Sequence, residues 1–104
     1  MSITRYEAGK RMSQAVVHGN TVYLAGQVGT PGKTVKEQTG EVLASIDRLL
    51  AEAGSDKSKL LSATIWLADI RHIAVMNEAW DEWVSRESPP ARATVEARLA
   101  SPSL

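Results

Sequence analysis

The sequence predicts a small α+β protein, a two-layer sandwich in which two helices cover one face of a mixed sheet. The prediction depends on the length of 104 residues, an apolar content of 43%, and hydrophobic patterns that alternate in some segments and are helical in others. A chain of this length corresponds to one domain. No linker, repeat or low-complexity tract divides residues 1–104. The predicted order of elements is β-β-α-β-α-β.

The first two strands are predicted on either side of His18-Gly19-Asn20, which has the composition of a tight turn. The second of them extends over residues 21–27, which are rich in β-branched and aromatic side chains. Residues 29–34 contain the glycine and proline that mark a loop.

Two helices are predicted where apolar residues recur every three or four positions. The first lies within residues 34–53 and ends at Gly54. The second covers roughly residues 70–84 and cannot continue through Pro89-Pro90. Asp69 is interpreted as the N-terminal signal of this second helix.

Two further strands show strict alternation, one on each side of the second helix. Residues 59–69 place Trp66 and Thr64 on the sheet face that is turned away from the helices. The same face carries either Tyr23 or the neighbouring residues 22 and 24. A face of this composition favours burial against other subunits. Residues 91–99 separate five apolar residues on one side from four polar residues on the other: Arg92, Thr94, Glu96 and Arg98.

The composition excludes several classes of function. Twelve basic and twelve acidic residues give a net charge of zero, so nothing indicates binding to nucleic acid or to an anionic membrane. The chain has no cysteine, which excludes disulfides, thiolate metal sites and a cysteine nucleophile. We find no signal peptide and no stretch approaching the ~20 apolar residues of a membrane span, so a cytoplasmic location is expected.

Most residues that could carry chemistry have a simpler interpretation. His18 and His72 are far apart in sequence and lack metal-ligand spacing, so both are expected on the surface. Residues 78–83, EAWDEW, are interpreted as a solvated acidic side interleaved with core tryptophans. No metal or organic cofactor is predicted.

Two residues are less easily explained as surface side chains. Asn77 lies beside the apolar stripe of the second helix, where a buried amide either bonds nearby backbone or supports a site. Arg92 begins a strand just behind two prolines, a rigid base from which a guanidinium can bind a carboxylate through two hydrogen bonds. The alternative for Arg92 is a surface arginine paired with Glu96 or another neighbour.

Three segments resemble motifs of the reactive-intermediate-deaminase family, also called the Rid or YjgF type and labelled L-PSP endoribonuclease. PPARATVEARLASP, at residues 89–102, is similar to the family signature P-x-R-[ST]-x-V-x-V-x-x-L. VYLAGQVG, at residues 22–29, is similar to its (S/A)-G-Q segment, and MNEAWDEW, at residues 76–83, to its V-N-x-x-(Y/W) helix. The motifs occur in the expected order across nearly the whole chain.

The resemblance implies a chorismate-mutase-like fold and a homotrimer with small-molecule sites between neighbouring subunits. It also implies an activity, the hydrolysis of enamines and imines derived from amino acids to 2-keto acids and ammonia, without a metal or cofactor. Arg92 matches the arginine that binds the substrate carboxylate, and Asn77 matches the helix asparagine that supports the site.

The sequence departs from the family pattern at three positions expected to line the site. Ala25 stands where a serine is common, Met12 where a tyrosine is common, and Thr94 where a cysteine is common. The resemblance therefore implies a pocket that keeps its arginine but has fewer hydroxyl groups, which suits a different or larger substrate side chain. A final family strand, which carries a site glutamate, is expected to be missing after residue 102.

Two other functions remain open at this stage. The chain could be a non-catalytic trimer that binds small carboxylates through Arg92 and has a regulatory role. It could also be an endoribonuclease, although the zero net charge weighs against this function.

Overall fold

The computed structural model describes residues 2–104. Within that range the structure has five strands, two α-helices and two short 3₁₀ helices, in the order β1 (Ile3–Tyr6), β2 (Ala15–His18), β3 (Thr21–Leu24), α1 (Val35–Glu52), 3₁₀ (Lys57–Lys59), β4 (Ser62–Leu67), 3₁₀ (Ile70–His72), α2 (Ile73–Trp83) and β5 (Ala91–Glu96). The six elements predicted from the sequence are confirmed in order. The strand β1 precedes them and was not predicted, because its four residues show no clear alternation of apolar and polar side chains.

The strands are divided between two sheets instead of the single mixed sheet expected. β1, β2 and β3 form an antiparallel sheet in sequence order, and β4 pairs with β5 in parallel. Short loops can join antiparallel neighbours, whereas a parallel pair needs a crossover such as α2. Side-chain patterns give the faces of each strand but not the edge with which it pairs, so the sequence could not reveal this division.

The start of α1 is fixed by local hydrogen bonds. The Thr34 hydroxyl accepts from the Glu37 backbone N–H at 3.1 Å, and the Glu37 carboxylate accepts from the Thr34 backbone N–H at 3.1 Å. This reciprocal pair is a capping box, and it satisfies backbone donors that the first turn would leave without partners. The bonds from Thr34 also lower the pKa of the Glu37 carboxyl.

The main core lies between the two helices and β4. A buried cluster joins Leu43 of α1, Leu67 of β4, and Met76 and Trp80 of α2. Half-buried residues of the same elements pack around it, including Ala63 and Ile65. The predicted inward face of β4 and the predicted apolar stripes of both helices are therefore confirmed.

The polar face of β5 is turned toward the helices, and its apolar face is turned outward. Its polar residues Arg92 and Thr94 are partly buried, and they are paired in register with Ala63 and Ile65 of the core face of β4. Its apolar residues are exposed, and Val95, which is 42% exposed, is paired with the exposed Trp66. The helix layer thus covers polar side chains of β5, and the apolar side chains of β5 lie on the outer face of this sheet.

The loop before α1 runs close against the helix at Gly29. A Cβ atom on this residue would lie 2.6 Å from the Cβ and 2.7 Å from the Cα of Gln38. The Cα atom is part of the helix backbone and the Cβ atom is bonded to it, so neither atom can move away unless the helix moves. Glycine at this position therefore allows the chain to pass against α1.

We predict that Gly29→Ala lowers the free energy of unfolding by about 1–3 kcal/mol, because the new methyl group would overlap α1. Gly40→Ala is the matched control, since a Cβ at this position of α1 would meet nothing within 4 Å. It should raise stability by about 0.5–1 kcal/mol, because alanine loses less backbone entropy in a helix. Urea unfolding of both variants measures the effect, and a Gly29→Ala protein as stable as wild type would contradict it.

Candidate functional site

The structure brings together the two residues that the sequence singled out. Nη1 of Arg92 donates a hydrogen bond to Oδ1 of Asn77 at 2.8 Å, and both side chains are partly buried. β5 directs Arg92 toward the helix layer, and α2 presents Asn77 from above. Asn77 is thus a side-chain partner of the arginine and does not merely bond nearby backbone.

A tryptophan contacts the same guanidinium. The Cζ atom of Arg92 lies 5.2 Å from the ring centroid of Trp80, within the range of a cation–π interaction. Asn77 and Trp80 are three residues apart in α2, so both face the strand that carries Arg92. The helical apolar pattern predicts Trp80 only as a core residue. The spacing of three residues between Asn77 and Trp80 was the signal that could have identified it.

The hydrogen bond to Asn77 uses one of the five N–H groups that a guanidinium carries. Within residues 2–104, Asn77 is the single hydrogen-bond partner of the Arg92 side chain. A planar guanidinium fixed at one nitrogen and along one face keeps an edge able to donate two parallel hydrogen bonds to a carboxylate.

The expected alternative, a pair between Arg92 and Glu96, is absent from the described part of the chain. Oε1 of Glu96 instead accepts from the backbone N–H of Ile70 at 3.1 Å. Glu96 therefore supports the start of the 3₁₀ helix that precedes α2, and the guanidinium of Arg92 is not neutralised by it.

Thr94 lies two residues after Arg92 on the same side of β5. Its Oγ1 atom is buried and has no hydrogen-bond partner among the described residues. A buried hydroxyl without a partner costs about 1–3 kcal/mol relative to a hydroxyl that is solvated or bonded. The position thus carries a polar group where an apolar side chain of the same shape would be more stable.

Ala25 and Met12, the other two predicted site residues, lie in the part of the molecule formed by the antiparallel sheet. Ala25 directly follows β3, and its backbone N–H donates to the Gln14 carbonyl at 2.9 Å. Met12 is in the loop between β1 and β2, where its carbonyl accepts from the Gly9 N–H at 2.8 Å, and its side chain is 49% exposed. Across residues 2–104, no hydrogen bond joins either residue to Arg92.

The remaining candidates have structural roles. The Asp69 carboxylate accepts from the Arg71 backbone N–H at 2.9 Å, so it caps the 3₁₀ helix that leads into α2, whereas α2 itself begins after His72 without a side-chain cap. The Arg71 guanidinium also donates to it and lowers the pKa of Asp69 to about 2.

His18 and His72 are both exposed, as expected. Among residues 2–104 no group of three histidine or acidic residues is arranged to hold a metal ion, and no helix is long and apolar enough to cross a membrane.

The fold and this cluster define a class of protein. It is a small α+β domain of the chorismate-mutase-like kind, with two helices against strands of both orientations and an arginine held between the last strand and the second helix.

A family model described as Endoribonuclease L-PSP matches residues 2–104, and the chain belongs to this family. Its relatives include proteins of the RutC and YjgF type. The family that the motifs suggested is therefore confirmed.

Three similar proteins illustrate the relationship. A RutC family protein from Haemophilus influenzae is 52% identical over 98% of this chain and 90% of its own length. RutC family protein YoaB from Escherichia coli is 45% identical over 98% of this chain and 90% of its own length. The crystal structure of a YjgF family member from Neisseria meningitidis superimposes with a TM-score of 0.96 at 48% identity, and the match covers 99% of this chain and 87% of that one.

We predict that Thr94→Val leaves the protein as stable as wild type or raises its free energy of unfolding by about 1 kcal/mol, because it removes a buried hydroxyl that lacks a partner. Thr39→Val is the control, since the Thr39 hydroxyl donates to the Val35 carbonyl at 2.7 Å. It should lose about 0.5–1.5 kcal/mol. Chemical denaturation of both variants tests this. A larger loss for Thr94→Val than for Thr39→Val would mean that the Thr94 hydroxyl has a partner.

Proposed function

We propose that this protein hydrolyses reactive enamines and imines derived from amino acids, giving 2-keto acids and ammonia. The main support is the Arg92 guanidinium, which is fixed by Asn77 and Trp80 and retains donors for a carboxylate. Membership of the family and the matching signature around Arg92 add to this support.

In the proposed reaction an enamine first converts to its imine by moving a proton to carbon. Water then adds to the imine carbon, the carbon–nitrogen bond breaks, and the nitrogen leaves as ammonia while the carbon becomes the carbonyl of a 2-keto acid. Arg92 binds the carboxylate next to this carbon. A neutralised carboxylate withdraws more electron density, and a fixed substrate presents the carbon to water in a reactive orientation.

Asn77 is proposed as a substrate-site residue that acts through Arg92. Its amide oxygen occupies one edge of the guanidinium, so the carboxylate is directed to another edge. Thr94, Ala25 and Met12 are proposed to line the substrate pocket, as the family motifs imply. Since Met12 and Ala25 belong to the part of the molecule formed by the antiparallel sheet, whereas Arg92 is in the β4–β5 sheet, their contribution is proposed to come from a neighbouring subunit.

A homotrimer is proposed as the functional assembly. The outer face of the β4–β5 sheet carries large apolar side chains beside Ser62 and Thr64, with Trp66 52% exposed and Val95 42% exposed in one register pair. Tyr23 of β3, in the antiparallel sheet, is also exposed, at 59%. Large apolar side chains in such positions favour burial against another copy of the chain.

One observation favours a second function, the binding of small carboxylates without turnover. The described partners of Arg92 are an amide and an indole, and neither group acts as a general acid or base near neutral pH. Release of ammonia from imines discriminates between the two functions. Cleavage of RNA, which the family description names, is not proposed, because the net charge of zero gives little attraction to a phosphate backbone.

We predict that Arg92→Ala loses about a hundredfold or more in the hydrolysis of carboxylate-bearing imines, since two charge-assisted hydrogen bonds to the substrate would be lost. Arg92→Lys should also be impaired, because an ammonium group keeps the charge but lacks the planar fork. Ammonia is measured while an amino-acid oxidase or dehydratase generates the imine. Arg86→Ala, a change at an exposed arginine in the loop before β5, is the control.

Wild-type turnover in Arg92→Ala would show that the carboxylate is bound elsewhere. Carboxylate binding without ammonia release in the wild-type protein would instead support the second function. Thermal melting of each variant separates these results from a loss of fold.

For the assembly, we predict that wild type sediments as a trimer at micromolar concentration and that Trp66→Lys shifts it toward monomer. A lysine on the outer face would lose apolar contact and bring three charges near one another. Val75→Lys is the control, because Val75 is also partly exposed, at 38%, but lies on α2. A wild-type monomer, or an equal shift in both variants, would contradict the proposed interface.

A further inference from the structure

We infer that Trp80 is a positioning residue for Arg92, and that its ring face sets the orientation in which the guanidinium meets a carboxylate. The guanidinium carbon lies 5.2 Å from the ring centroid. The inference rests on the proposed function for its effect on turnover, whereas the effect on the guanidinium itself can be measured without any activity.

The contacts with Asn77 and Trp80 restrain different motions of the guanidinium. The 2.8 Å bond to Asn77 holds one nitrogen in place but permits the group to tilt about that bond. The indole face of Trp80 attracts the cation along one side and limits the tilt. Together the contacts define both the plane and one edge of the group, which is the condition for bidentate binding of a planar anion.

Trp80 is itself held in place by a second tryptophan. The rings of Trp80 and Trp83 lie 5.5 Å apart between centroids with an interplanar angle of 52°. Nε1 of Trp83 donates to Oδ2 of Asp47 on α1 at 2.9 Å, and Nζ of Lys57 lies 5.3 Å from the Trp83 ring centroid. A continuous series of contacts therefore runs from α1 through both rings to Arg92.

The competing explanation is that Trp80 only fills the core, since it is 8% exposed and packs with Leu43, Leu67 and Met76. The two roles depend on different properties of the side chain. Filling the core requires apolar volume, whereas orienting a cation requires the electron-rich face of an aromatic ring. Variants that change one property and keep the other therefore separate them.

Three changes at position 80 make this separation. Trp80→Phe keeps an aromatic face but reduces the volume, and Trp80→Leu removes the face. A fluorinated tryptophan introduced at this single position keeps the shape almost unchanged and weakens the negative face of the ring. This third variant maintains the test if Trp80→Leu fails to fold.

The first measurement is the rate of rotation about the Nε–Cζ bond of Arg92, from side-chain ¹⁵N NMR signals assigned with Arg92→Lys. We expect slow rotation in wild type and Trp80→Phe, and faster rotation in the fluorinated and leucine variants. The second measurement is titration with 2-oxobutanoate, a stable 2-keto acid. Loss of a cation–π contact should weaken its binding about three- to tenfold in the fluorinated and leucine variants.

The outcomes distinguish this inference from the proposed function. If wild type releases no ammonia but rotation and 2-oxobutanoate binding respond to the ring face, the positioning role is supported and the deaminase function is not. If wild type releases ammonia while rotation, binding and KM are the same in the fluorinated variant as in wild type, Trp80 is a core residue only. The inference would also be overturned if Trp80→Phe weakens the binding of 2-oxobutanoate as much as Trp80→Leu does, and if both losses follow the fall in melting temperature.

Discussion

The hydrogen bond between Arg92 and Asn77 is the interaction on which the site depends. It requires the parallel register of β4 and β5, because that register sets Arg92 beside Ala63 beneath the helix layer. It also requires α2 to serve as the crossover between those strands, since this brings Asn77 above the start of β5. The same βαβ unit therefore builds the core and positions the guanidinium.

Much of the fold could be predicted from one sequence because its signals are local. Helical spacing identified both helices, and period-2 alternation identified the inward face of β4. The strand β1 was missed because four residues without alternation give no periodic signal. The division into two sheets was missed because edge pairing is set by distant parts of the chain, and side-chain parity does not encode it.

The candidate site was predicted in part. Pro89-Pro90 and the alternation that follows them identified Arg92 as a candidate. Asn77 was identified by its position next to the apolar stripe of the second helix. Their mutual contact could not be derived from spacing, because the two residues are fifteen positions apart and meet only through the crossover. Trp80 was assigned to the core alone because its place on the apolar stripe already explained it, and only its spacing of three residues from Asn77 linked it to Arg92.

The inverted polarity of β5 implies a compromise between stability and function. Arg92 and Thr94 occupy positions facing the helix layer, where valine or leucine would bury more apolar surface in the folded monomer. Mutations selected only for thermal stability would therefore tend to replace these residues and remove the guanidinium that is proposed to bind a carboxylate. An engineering programme that aims at a more stable protein of this kind should hold this face of β5 constant and seek its gains on other surfaces.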